Sequence, residues 1–143
     1  MSPIKIVLDT NVLVAGLRSN SRASHSILRL LGSGSYDLCI SVALILEYEE
    51  VLKNKINHEI IFSKEIEEFI DYLCKIGKKF NIHFLWRPTL RDPDDEMVLE
   101  IAVSSQAEFI VTFNVKDFIR ENYFGVKVIT PIQFLKKIGG EKS

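Results

Sequence analysis

The stretch KIVLDTNVL (residues 5–13) sets an acid where an apolar strand should end. Ile4, Lys5, Ile6, Val7 and Leu8 are mostly apolar and rich in β-branched residues, the composition of a strand covered on both faces. Asp9, Thr10 and Asn11 interrupt, and then Val12 and Leu13 resume. A turn accounts for Asp and Asn at such a place. A metal site accounts for them equally, provided other acids converge on the same point.

The rest of the chain supplies the frame. Residues 23–31 read as a helix, which Gly32, Gly34 and the serines between them break. Asp37 to Val42 reads as a short strand and Ala43 to Asn54 as a helix. Ser63 caps a further helix to Lys79, with Ile66, Phe69, Ile70, Leu73 and Gly77 on one stripe. Asn81 to Trp86 is a candidate strand. Asp92 and Pro93 open a helix to Ser105, Asp as cap and Pro at the first helical position. Glu108 to Thr112 and Val126 to Thr130 are strands, and Pro131 starts a last helix before Lys136 and Lys137. Strands alternating with helices predict one α/β sandwich over residues 1–143, with a mainly parallel sheet. Ligands of such sheets sit beyond the carboxyl ends of the strands. Asp9, Ser41 and the Thr112-Phe113-Asn114 run all fall at strand ends, so the polar groups gather at one rim.

Composition narrows the function classes. The 143 residues are 47% hydrophobic and 26% charged, enough for a real core in one domain. A formal net charge of −1 is no global signature of nucleic-acid binding, so such a role has to rest on a local patch. Cys39 and Cys74 form no CxxC motif and read as reduced core thiols. No basic-plus-apolar leader opens the chain, and no apolar run approaches the roughly 20 residues of a membrane span. A cytoplasmic protein is expected, with no membrane partner.

Two more acids sit at odds with their surroundings. Leu44, Glu47, Tyr48 and Val51 share one helical face, so Glu47 borders an apolar stripe while Glu49 and Glu50 point elsewhere. An ionised carboxylate facing a core needs compensation; the alternative is an exposed Glu reaching water from the stripe's edge. Asp95, Val98, Leu99 and Ala102 repeat the spacing, although an acid in the first turn of a helix is also favoured by the helix dipole. Asn114 and Asp117 follow a strand, where turn chemistry alone explains either. Carboxylates converging without His or Cys suit a hard cation such as Mg²⁺, which takes oxygen ligands and keeps several waters. His25, His58 and His83 are scattered, which argues against zinc hydrolysis and Ser-His chemistry.

Four blocks carry a resemblance. DTNVLVAGL (9–17), SVALILEYEEVL (41–52), DPDDEMVLEIA (92–102) and IVTFNVKDF (110–118) together resemble the PIN domain, above all the toxins of toxin–antitoxin pairs related to VapC. The closing ITPIQFLKK (129–137) resembles that family's last strand and helix, so the likeness spans essentially the whole chain. The resemblance implies a three-layer α/β/α sandwich and Mg²⁺- or Mn²⁺-dependent endoribonuclease activity that leaves a 5′-phosphate and a 3′-hydroxyl. It matches the family's first three acids to Asp9, Glu47 and Asp95, with Asp94 as the fallback for the third. The fourth acid often follows the strand as Thr-Gly-Asp; here the match is Asn114, with Asp117 three residues on. This departure allows a weaker second metal site, or a degenerate copy that binds RNA or a protein without cutting.

By this resemblance Asp9, Glu47, Asp95 and Asp117 are the candidate catalytic residues, and Asp9, Glu47, Asp95, Asn114 and Asp117 the candidate metal ligands. Asn11 and Thr112 would orient Asp9 and its water. Arg18, Arg22 and Lys116 are the candidate RNA contacts, with His25, Arg29, Lys53, Lys55 and Arg120 near them; solvated surface charge explains each equally well. Trp86 and Tyr123 are candidate stacking groups. The implied partners are an RNA substrate, a cognate antitoxin and a second copy in a homodimer. Phosphotransfer on Asp9, as in haloacid-dehalogenase-like hydrolases or receiver domains, lacks its usual second acid, because Asn11 stands there. A pure interaction module would leave Glu47 and Asp95 unexplained.

Overall fold

The computed structural model describes residues 3–18, 21–56, 63–81, 93–118 and 125–139, with the side chains of 93–96 outside that description. The elements run β1 (Ile4–Leu8), α1 (Thr10–Leu17), α2 (Arg22–Arg29), β2 (Tyr36–Ile40), α3 (Val42–Lys55), α4 (Ser63–Ile76), β3 (Lys78–Lys79), α5 (Pro93–Ser105), β4 (Phe109–Val111), α6 (Val115–Phe118), β5 (Lys127–Ile129) and α7 (Pro131–Ile138). The five strands form one sheet in the order β3-β2-β1-β4-β5. Every pairing is parallel.

Strand order explains the layers. From β1 the chain steps outward to β2 and β3, then returns past β1 to β4 and β5. Crossovers between parallel strands are right-handed, so steps in opposite directions put their helices on opposite faces. The α1–α2 and α3–α4 connections thus cover one face, and α5 and α6 the other. Contacts agree: α1 packs on α2 and α3, α7 on α2, while α5 lies against β1, β2 and β4. The result is a three-layer α/β/α sandwich whose direction of winding reverses between β1 and β4.

β1 is the middle of the core. Ile6, Val7 and Leu8 are all fully buried, as the near-continuous apolar run requires of a strand covered on both faces. Tyr36 and Phe109 meet Phe134 of α7 edge-on, at 5.4 and 6.2 Å between ring centroids, and so close the core at the far end of the sheet.

Several expectations shift. The Asp9-Thr10-Asn11 run is no open turn: it starts α1, with Asp9 as the cap. The helix from Ser63 ends at Ile76; Gly77, where a Cβ would crowd Ile40 and the Leu73 carbonyl, leads into β3, which continues the sheet at Lys78 and Lys79. A four-residue helix, α6, follows β4. The expected strand from Asn81 to Trp86 lies outside the described residues beyond Asn81. Among the described residues no helix is long and apolar enough to cross a membrane.

Candidate metal centre at the sheet's switch point

Asp9 leaves β1 where the winding reverses, the place where open α/β sheets leave a crevice. Its backbone N–H still donates to the Val111 carbonyl at 3.0 Å, as the ladder to β4 closes. Its φ of −69° and ψ of 149° keep it extended while the next residue turns helical. The carboxylate then serves as N-cap: Oδ1 accepts from the Thr10 N–H at 2.8 Å, next to the positive end of the helix. The turn explanation and the functional one therefore concern the same atoms. Asp9 is only 7% exposed, far more buried than an ordinary capping acid needs to be.

The second oxygen is held from β4. The fully buried Thr112 hydroxyl donates to Asp9 Oδ2 at 2.6 Å, a short charge-assisted bond. That same hydroxyl accepts from the Asn114 backbone N–H at 3.0 Å and from Asn11 Nδ2 at 3.5 Å. Asn11 also accepts from the Phe113 N–H at 3.4 Å. Asp9, Asn11 and Thr112, brought together from the sequence as a carboxylate and its two supports, thus form one hydrogen-bonded unit. Ser41, another strand-end residue, instead caps α3 by accepting from the Leu44 N–H at 3.1 Å.

Glu47 lies on α3, half-buried, between fully buried Leu44 and Tyr48 and exposed Leu46. α3 touches α1 on its own face and α5 from the opposite one. Glu49 turns away and pairs with Lys53 at 3.2 Å. The side chains of Asp94 and Asp95 lie outside the described residues. Asn114 and Asp117 are exposed beyond β4. Among the described residues no three His, Cys, Asp or Glu side chains form a group able to hold a metal. The candidate ligands all offer oxygen, the donor set of a hard cation, and a buried anionic carboxylate is the compensation such an ion needs.

Sequence spacing missed two neighbours of Asp9. Tyr48 is fully buried, and its phenol donates to the carbonyl of Leu8. Burial, and then the negative charge of Asp9, push that phenol well above its ordinary value. Helical spacing assigned Tyr48 to the core, and nothing in the sequence marks its hydroxyl. Phe113, 45% exposed in the loop tied to Asn11, is the other; an aromatic residue in a polar loop was its one visible signal.

The basic candidates divide. Arg22, Arg29, Lys55 and Lys116 are exposed, as is His25. Arg18 also has a structural task, donating to the Lys55 carbonyl at the end of α3. Lys53 is held by Glu49 and, at 3.3 Å, by Glu67 of α4. Trp86, Arg120 and Tyr123 lie outside the described residues.

Comparison with known proteins agrees with this architecture. The sequence model of one family, described as PIN domain, matches residues 5–116. A solved structure is also similar: a chain of VapBC2 from Rickettsia felis bound to a DNA fragment from their promoter. It aligns with a TM-score of 0.58 over 87% of this chain and 98% of that chain, at 15% sequence identity. That degree of identity speaks for the fold. No curated protein sequence matches.

Proposed function

Because the chain belongs to the PIN domain family, we propose that it is a metal-dependent endoribonuclease, the toxin of a toxin–antitoxin pair. The observation that carries the reading is Asp9: a buried carboxylate at the switch point, fixed from both sides by Thr10 and Thr112. A surface cap needs no buried hydroxyl on its other oxygen, whereas a metal ligand is oriented by such a bond.

The chemistry expected of a bound Mg²⁺ or Mn²⁺ is neutralisation of phosphate charge and activation of a water for attack on phosphorus. Asp9 and Asp95 would hold the ion, with Glu47 binding it directly or orienting and deprotonating its water. Asn114 or Asp117 would complete the site. Thr112 and Asn11 keep the Asp9 carboxylate in one orientation. Arg22 and Lys116, and Arg18 through its remaining donors, would position the phosphate backbone without reading sequence. The exposed Phe113 ring offers a face on which a base can stack. The toxin assignment draws on the likeness to VapBC2, whose two-component name supports an antitoxin partner here. A homodimer in the cytoplasm is the assembly that fits this reading.

Asn114 favours a second reading, a PIN domain that binds RNA without cutting, because it puts a neutral amide where the family's fourth acid often stands. One experiment separates the two. Metal-stripped protein is incubated with a labelled mixed RNA pool, with and without Mg²⁺ or Mn²⁺, beside Asp9→Asn. We expect metal-dependent products that disappear in Asp9→Asn while its circular dichroism is unchanged, since the amide oxygen can still cap α1. Full activity in Asp9→Asn would remove Asp9 from the chemistry. No products from either protein, together with no Mn²⁺ binding by calorimetry, would favour the non-cleaving reading.

A further inference from the structure

Tyr48 sits next to Glu47 on α3, and its hydroxyl reaches the residue before Asp9. The direction of that bond follows from the strand. Groups on successive strand residues point to alternate neighbours. The Lys5 carbonyl accepts from Glu108 and the Asp9 N–H donates to Val111, so odd-numbered residues of β1 face β4. The Leu8 carbonyl therefore faces the β2 side. There the register ends at Ile6↔Leu38, two residues short of Leu8, although β2 itself runs on to Ile40 and pairs with β3. Towards β4 the register continues to Leu8↔Val111. The Tyr48 phenol donates to Leu8 on the side where the ladder has stopped.

We propose that Tyr48 is a positioning residue for the metal site, its hydroxyl fixing α3, and so Glu47, against the end of β1 that presents Asp9. The inference rests on the reading of Asp9 and Glu47 as metal-binding acids. Glu47 has no strand of its own to hold it. Its distance from Asp9 is set by how α3 lies on the sheet, and this is a polar bond from α3 to β1 inside the core. Sliding or rolling of α3 would move Glu47 relative to Asp9 without unfolding either element.

The structure supplies a matched control. Tyr36 is also buried and also donates its phenol to a main-chain carbonyl, that of Ile27 at 2.7 Å, at the opposite end of the sheet. Tyr48→Phe and Tyr36→Phe delete the same atom in the same kind of surroundings. Thermal melts of the metal-free proteins and Mn²⁺ titrations by calorimetry are run on both variants, the parent and Asp9→Asn. Both tyrosine variants are expected to melt at slightly lower temperature. Tyr48→Phe alone is expected to bind Mn²⁺ about tenfold more weakly, the lower end of the range for losing a group that positions a ligand. Tyr36→Phe is expected to keep the parent's affinity. The electron paramagnetic resonance of bound Mn²⁺ should change in Tyr48→Phe and not in Tyr36→Phe. Equal affinities and equal spectra in the two variants would reduce Tyr48 to a stabilising contact and overturn the proposal. Parent protein that binds no Mn²⁺, or Asp9→Asn that binds it as the parent does, would overturn the underlying reading and this one with it.

Discussion

A threonine hydroxyl has one proton to donate and two lone pairs to accept with. Thr112 uses all three, on Asp9, Asn114 and Asn11. Thr112→Val keeps the shape and removes every one of these bonds, leaving a buried carboxylate oxygen short of a donor. We expect a stability loss of about 2 kcal/mol by urea denaturation, the range for a bond to a charged group. Cleavage should fall by roughly 10- to 100-fold, as outer-shell losses do. Thr112→Ser retains the hydroxyl and should keep most of both. Wild-type rates in Thr112→Val would show that Asp9 needs no such support.

At the scale of elements, the pair α1 and α2 depends on the lack of a side chain at Gly16. A Cβ there would lie 2.5 Å from Leu28 Cδ1 and 3.1 Å from the Ser24 carbonyl oxygen. The leucine tip can move, but the backbone of α2 cannot move cheaply. Gly16→Ala should destabilise by about 1–2 kcal/mol in denaturant melts despite the better helix propensity of Ala. No loss would mean that α2 adjusts freely. How much of this level was legible follows from length and period. β1, α3, α5, β4 and α7 could be read because long apolar periodicity or a Pro start marks them. α1 was hidden because its first turn, Asp9-Thr10-Asn11, is written in turn residues, and the same residues cap a helix. β3 and α6 are too short, at two and four residues, to carry a period. In the site, Asp9 announced itself as a charge at the end of a strand. Tyr48 did not, since its value lies in a hydroxyl aimed at a backbone carbonyl that only the register of β1 leaves available.

The molecule as a whole should be sensitive to alkali. Burial raises the phenols of Tyr36 and Tyr48 well above their ordinary value of 10.0, and burial raises the Cys39 thiol too. Unfolded tyrosines lose their protons near pH 10, while the folded ones keep them. Above that pH the unfolded state binds fewer protons, so stability falls as pH rises. Below pH 10 the full contribution of both phenols is present. Two withheld tyrosine protons give a slope of up to about 2.7 kcal/mol per pH unit. Urea melts between pH 8 and 11.5 should show this decline, and Tyr48→Phe should reduce the slope by up to about 1.4 kcal/mol per pH unit. A flat profile would mean that the phenols ionise in place.

The pairing of β1 with β4 also has a consequence in time. Ile6 pairs with Phe109, and Asp9 meets Thr112 across 103 positions of sequence. Contacts of such separation form late, because a long stretch of chain must be closed before they are rewarded. During synthesis, at about 5–20 residues per second, Asp9 emerges early and waits for its partner until β4 has followed. A ribosome-bound fragment ending before Thr112 carries Asp9 but not the hydroxyl that orients it, so this bond forms only after β4 has been made. If Asp9 holds a metal as proposed, that site stays incomplete in the nascent chain until β4 has joined β1.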